Sequence, residues 1–274
     1  MKKEIEQKWA ACIVYYQDQV SLNNLLESLE NQSLKPSEVF IADNNSNDPV
    51  KIDNYSFPVN IFRLEQNKGF AGGANVAVNK AMENNFNNFI LLSQDVLLEN
   101  NAAEKIIEKL TENSGIVFPT MMNRNTNTVF SKGGLVNRLT GKISLITNDN
   151  SKDIDWADGS CLAFNLVTFR AVNGLCEKYF MYFEDVDFCL SAKRKGFSLT
   201  HVEVVASQTP KGPSPMLRSK NSLILARRTK SALFVSSVTK RNLLGALLLF
   251  ARLRPQDAFN RLRGIFQGLV VKVD

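Results

Sequence analysis

Along the first 120 positions, apolar residues alternate between short unbroken runs and runs at helical spacing. Residues 9–16 (WAACIVYY) read as a buried strand, after which Val20, Leu22, Leu25, Leu26 and Leu29 recur with a helical period and Pro36 closes the connection. A second apolar run, residues 39–42, breaks into the turn-forming string Asp43-Asn44-Asn45-Ser46-Asn47-Asp48. A third, residues 59–64, leads to Asn67-Lys68-Gly69. Ala71, Ala74, Ala77, Val78 and Ala81 then mark a helix whose small-residue face can lie close to a sheet. Residues 89–92 form a fourth run, followed by Ser93-Gln94-Asp95. Ile106, Ile107 and Leu110 give another helix, and residues 116–118 a fifth strand.

This rhythm predicts βαβ units with right-handed crossovers, hence an α/β fold with a mostly parallel central sheet flanked by helices. Such sheets bind ligands outside the carboxyl ends of their strands. Asp43, Asn67 and Asp95 fall there, delivered by three separate strands. Residues 120–155, rich in Asn, Thr and Gly, read as an irregular excursion. The pattern resumes at Trp156-Ala157-Asp158-Gly159-Ser160, with a helix near residues 166–172. An aromatic run at residues 179–183 then meets Glu184-Asp185-Val186-Asp187, the start of a short helix that Gly196 stops.

Composition changes this picture mainly at the C-terminus. The chain has 274 residues, 44% hydrophobic and 22% charged, an ordinary globular balance. Cys12, Cys161, Cys176 and Cys189 form no CxxC pair and His201 is the single histidine, which argues against zinc sites and a disulfide scaffold. His201 reads as a half-buried strand residue. The N-terminus lacks the apolar core of a signal peptide and no unbroken apolar stretch reaches about 18 residues, so the reading is cytoplasmic. The net charge of +6 is unevenly spread. Residues 1–210 carry 20 Lys/Arg against 25 Asp/Glu, whereas residues 211–274 carry 13 basic residues against Asp257 and Asp274. The break at Pro210-Lys211-Gly212-Pro213 suggests a catalytic domain over 1–212 and a basic amphipathic helical extension over 213–274. That extension is open to three readings: helices packed on the domain, an interfacial anchor on an anionic membrane, or a nucleic-acid surface. No reading motif accompanies the third, so nucleic acid is not expected as a partner.

The acidic residues suggest chemistry. Asp95, at a strand end, can hold a divalent cation against a diphosphate. Glu184, Asp185 and Asp187 could simply cap a helix, since carboxylates complement its N-terminal dipole. The preceding aromatic run could instead place one of them in a partly desolvated pocket as a general base.

In this order and spacing, the segments 43–48, 67–75, 91–95, 156–160 and 180–190 resemble glycosyltransferase family 2, nucleotide-sugar enzymes with the Rossmann-like GT-A fold. The likeness spans about residues 9–230 and is nearest to the bacterial rhamnosyltransferase and galactofuranosyltransferase branch. It implies an inverting transfer from a UDP- or dTDP-linked sugar, such as rhamnose or galactofuranose, to a glycan or lipid-linked acceptor of cell-surface polysaccharide. It further implies that Asp43, Asn67, Gly69, Asn75, Ser93 and Gln94 bind the donor nucleotide, with Gly72 and Gly73 admitting the following helix. Asp95 would bind Mg²⁺ or Mn²⁺, Asp185 would be the general base supported by Glu184, and Trp156, Asp158, Gly159 and Ser160 would line the acceptor side. Two positions depart from the family pattern: Ser93 replaces the first carboxylate of the metal motif, and Gln208 stands where a histidine often completes the site. Those departures motivate an alternative, a relative that binds nucleotide-sugar or membrane without turnover. A sugar nucleotidyltransferase would need a Gly-rich basic loop after the first strand, where Tyr15-Tyr16-Gln17-Asp18-Gln19 stands instead.

Overall fold

The computed structural model describes residues 8–113, 115–148 and 153–273. In chain order the elements are β1 (Ala10–Tyr15), α1 (Gln19–Glu30), β2 (Glu38–Asp43), β3 (Val59–Arg63), α2 (Gly69–Glu83), β4 (Asn88–Ser93), β5 (Leu97–Leu98) and α3 (Ala102–Glu112). They continue with β6 (Gly115–Asn123), β7 (Thr128–Ser131), β8 (Gly134–Asn137), β9 (Lys142–Leu145), β10 (Cys161–Asn165), α4 (Leu166–Val172), α5 (Glu184–Arg194) and β11 (Ser198–Gln208). Three helices close the chain: α6 (Pro215–Arg228), α7 (Ala232–Ala251) and α8 (Pro255–Val270).

Alternation along β1 explains the layering. Ala10, Cys12 and Val14 point into one apolar core, Ala11, Ile13 and Tyr15 into the other, so the strand must run through the middle of a sheet covered on both faces. The small face of α2 packs on the first side. On the second, α1 buries Leu22, Leu25, Leu26 and Leu29, its start capped by Asp18 accepting from the Ser21 N–H at 3.0 Å. The sheet runs in the order β3-β2-β1-β4-β10-β6-β11-β5, with β7 beside β6. Strands β1 to β4 are parallel, as is the β6–β11 pair, while β10 lies antiparallel between β4 and β6. The chain reverses direction across the sheet between β1 and β4, where α/β folds open a ligand crevice.

Two expectations need correcting here. The stretch read as an irregular excursion is largely ordered: β6 runs on to Asn123, β7 returns beside it, and β8 and β9 form a separate hairpin. Its short, half-exposed strands carry too few apolar residues for a periodicity to register; residues 149–152 of the stretch lie outside the described ones. Second, α7 has the length and apolar composition of a membrane-crossing helix. Lys240-Arg241-Asn242 interrupts its apolar residues, so it forms no unbroken apolar run in the sequence.

The C-terminal extension is helical, as expected, and continuous with the main core. Ile224 and Leu225 of α6 join the cluster that contains β1 and β4 residues, while Leu223 and Ala226 pack with Phe234, Val238 and Ile265 of α7 and α8. Arg228 of α6 forms a 2.9 Å ion pair with buried Asp187 of α5. Arg227 donates to the carbonyls of Gly268 and Val271, so part of the basic composition is spent on internal structure.

Candidate active site

At the carboxyl ends of β1 and β4 the structure opens a cavity of about 730 Å³. One wall is built by strand ends. The Gln94 side chain bridges β4 to β1, accepting from the Tyr16 N–H at 2.5 Å and donating to the Tyr16 carbonyl at 3.1 Å. Ser93 Oγ donates to Asp95 Oδ1 at 2.9 Å, and Arg124 anchors the turn by donating to the Asp95 carbonyl at 2.7 Å. Asn67 accepts from the Gly69 N–H at 2.8 Å, shaping the start of α2. All of Asn67, Gly69, Ser93, Gln94 and Asp95 line the cavity.

Two expected donor contacts sit elsewhere. Asp43 does not line the cavity. It is 1% exposed, and its carboxylate accepts from the Ser46 N–H at 2.9 Å to close the turn after β2. Its neighbour Asn44 takes the wall position, held by Gly69 and Lys68 backbone groups. Asn75 is likewise consumed: it accepts from the Leu175 N–H and donates to the Leu175 carbonyl and to Glu177, clamping α2 to the loop after α4. Spacing alone could not separate these Asx and clamp roles from ligand contact, because Asp and Asn serve both.

The opposite side of the wall holds Trp156, Asp158, Gly159, Ser160, Glu184 and Asp185. Asp185, the second residue of α5, accepts from its own helix at Val186 N–H (2.8 Å) and from Gly159 N–H (3.0 Å). A Cβ on Gly159 would stand 2.9 Å from Asp185 Cβ, so only glycine allows this approach. Burial, then the charge of Asp158, raises the Asp185 carboxyl to about 7. Glu184 is buried, and desolvation followed by the Asp185 charge pushes it well above the ordinary carboxylate range. Burial and mutual repulsion therefore push both carboxyls of the adjacent pair toward the protonated form, and their titrations are linked. Asp158, raised by burial and by Asp95, contributes a third interacting carboxylate; its Oδ1 accepts from Ser160 N–H at 3.0 Å.

The loop that carries this pair is strained. Phe180, Tyr182 and Phe183 have φ of 62°, 68° and 76°, a region that L residues avoid. Two contacts hold it. Buried Asn221 of α6 donates to the carbonyls of Tyr179, Met181 and Tyr182, and Phe70 N–H donates to the Phe180 carbonyl at 2.6 Å. Gly69 fits beneath with φ +73°, in a place where a Cβ would lie 2.0 Å from the Phe180 carbonyl oxygen. Asn221 was not foreseen: it stands among Arg218, Ser219, Lys220 and Ser222, where nothing in the sequence marks it.

A hard cation fits the donors by type. Asp95, Ser93 and the buried Gln208 offer oxygens to the same cavity, and such cations take part of their coordination from phosphates and water. No group of three or more His, Cys, Asp or Glu that could hold a metal occurs among the described residues, so the protein would supply few ligands. His201 lies in β11 with Nε2 at 2.8 Å from Thr120 Oγ1, a strand position away from the cavity lining.

The architecture, with its carboxylate-lined cavity at the strand reversal, is an α/β fold of the GT-A kind. Residues 10–186 match the family model of Glycosyl transferase family 2, and the chain belongs to that family. It is 25% identical over 206 residues to the low-salt glycan biosynthesis hexosyltransferase Agl10 of Haloferax volcanii, an alignment covering 70% of this chain and 64% of that one. Among solved structures, GalNAc-T7 with UDP, GalNAc and Mn²⁺ superposes with a TM-score of 0.69 at 14% identity, covering 86% of this chain and 50% of that one. The S. aureus TarS fragment 1–349 with UDP gives 0.58 at 15% identity, over 95% and 89% of the two chains.

Proposed function

We propose that this protein is an inverting glycosyltransferase. It moves a sugar from a UDP- or dTDP-linked donor, such as rhamnose or galactofuranose, to a hydroxyl of a glycan or lipid-linked acceptor in surface polysaccharide assembly. The observation that carries the reading is that Asp95 and Asp185, 90 residues apart in sequence, line one cavity with Asp185 raised to about 7. The hexosyltransferase relative and the UDP and Mn²⁺ in neighbouring structures agree with it.

In this reading the strand-end wall holds the nucleotide, with Asn44 and Asn67 beside it. The acceptor hydroxyl lies against Asp185, which takes its proton as the oxygen attacks the anomeric carbon. The new C–O bond forms as the bond to the nucleoside diphosphate breaks, and one in-line displacement inverts the centre. Bound through Asp95, Ser93 and Gln208, Mg²⁺ or Mn²⁺ would offset negative charge on the diphosphate. Gly159 and Val186 N–H groups aim the carboxylate, and Glu184 keeps a second negative charge out of the pocket. We further propose that the extension rests on an anionic membrane surface. Lys240 and Arg241 at mid-helix make α7 costly to sink through a bilayer, whereas its apolar side suits the interface.

Release of nucleoside diphosphate from a panel of nucleotide sugars, with acceptor and Mn²⁺, tests this directly. Asp185→Asn is expected to lower kcat by about 10³-fold or more while donor affinity stays within about twofold. Asp95→Ala is expected to abolish the metal dependence of donor binding. Normal turnover by Asp185→Asn overturns the base assignment, and donor binding without any release favours a non-catalytic relative.

A further inference from the structure

The cavity has a second wall of opposite sign, built by the C-terminal helices. Arg218 of α6, Arg241 of α7 and Arg261 of α8 all line it, and none forms an ion pair among the described residues. Cations from three helices do not converge without a reason, since each raises the cost of the others; Arg261 is held below the usual guanidinium range by burial and by Arg218 and Arg241. Arg261 is positioned as part of a built site. It donates to Asn242 Oδ1 at 3.2 Å, and the amide of buried Asn242 donates in turn to Ser222 Oγ at 3.0 Å. A Cβ on Gly245 would lie 2.3 Å from the Arg261 guanidinium carbon, so α7 is hollowed to admit it. Arg261 Nε is buried with no partner among the described residues.

We propose that Arg218, Arg241 and Arg261 bind the phosphate or diphosphate of an amphiphilic, lipid-linked acceptor. The inference rests on the glycosyltransferase reading and names its acceptor class. The donor's diphosphate belongs to the strand-end wall around Asp95. Asp185 needs the acceptor beside it, and the wall facing the strand ends is the one these helices provide. The outer surface of the same helices supplies the lipid side: Leu243, Leu244 and Leu247 of α7 and Phe259, Phe266 and Leu269 of α8 are exposed, Leu247 by 65% and Phe266 by 67%. A phosphate-binding inner face backed by an apolar outer face matches a molecule with an anionic head and a hydrocarbon chain.

The test is titration of the full chain in mild detergent with farnesyl diphosphate, farnesol, inorganic pyrophosphate and, separately, UDP with Mn²⁺. Farnesyl diphosphate is expected to bind more tightly than pyrophosphate or farnesol. Arg241→Gln, at an exposed position that leaves the fold intact, and Arg261→Gln are each expected to weaken it about tenfold or more, with UDP affinity within twofold. If the substitutions weaken UDP and spare farnesyl diphosphate, the arginines serve the donor and the proposal falls. It falls equally if pyrophosphate matches farnesyl diphosphate, because the lipid then adds nothing. Wild-type protein that ignores UDP and, titrated in the same way, dTDP, but binds farnesyl diphosphate through these arginines would sink the glycosyltransferase reading and leave the anion site standing.

Discussion

The two walls of the cavity are made in different ways. The strand-end wall is built at the ends of neighbouring strands: Ser93, Gln94 and Asp95 end or follow β4, held by one another and by Tyr16 beyond β1, and Asn67 sits just before α2, accepting from the Gly69 N–H. The helical wall is assembled from distant segments. Arg218, Arg241 and Arg261 come from three helices, and Asn221 reaches from α6 to hold the strained loop before Asp185. The acidic wall is thus carried by the sheet, whereas the loop leading to Asp185, the proposed base, is held from the extension by Asn221. Truncating the basic tail would remove a support of the base along with any docking surface.

The largest effect outside the base itself is expected at that support. Asn221→Ala removes the amide that donates to the Met181 and Tyr182 carbonyls, while the Tyr179 carbonyl keeps the Met181 N–H, and it frees a loop with three positive-φ residues. A loss of about 2–4 kcal/mol in urea denaturation is expected, with kcat falling more steeply than donor affinity. A variant as stable and active as wild type would show that the loop holds itself and that the helical wall is passive. Next is Gly159→Ala, which brings a methyl against Asp185 without touching the extension. Its expected cost is about 10–100-fold in kcat with little change in denaturation midpoint, because a displaced base loses alignment before the fold loses packing. Equal kcat in both proteins would mean that the carboxylate does not need its present rotamer.

How much could be read beforehand follows the same division. The βαβ rhythm, the polar strand ends and the acidic helix start all express local patterns, and Asp95 and Asp185, singled out from them, both line one cavity. β10 escaped notice because Cys161-Leu162-Ala163-Phe164 is too short to show a period, and its antiparallel insertion between β4 and β6 is decided by tertiary packing. Asp43 and Asn75 illustrate the converse. They stand at the right strand and helix positions, but the Ser46 N–H and the Leu175 backbone claim them first. The arginine wall had no local signature at all, since Arg241 within an apolar helix reads equally as a solvent-facing interruption.

The smallest effect is the one that separates the electrostatics of Asp185 from its geometry. Its carboxyl titrates near 7 in the folded protein, against about 3.9 when unfolded. A base must be ionised, so kcat/KM is expected to fall about tenfold per pH unit below 7 and to level off above it. Stability runs the other way. A raised carboxyl favours the folded state most below the unfolded value, and that contribution disappears as pH rises through 7; by pH 8 the buried charge opposes folding. Asp185→Asn, already expected to be nearly inactive, should therefore be more stable than wild type at pH 8, by about 1–2 kcal/mol after the loss of charge-assisted bonds from Gly159 and Val186. At pH 5 the gain should vanish, because the wild-type carboxyl is then protonated in the folded chain. A gain that stays the same at both pH values would trace the stabilisation to packing, and the activity limb would then need another titrating group.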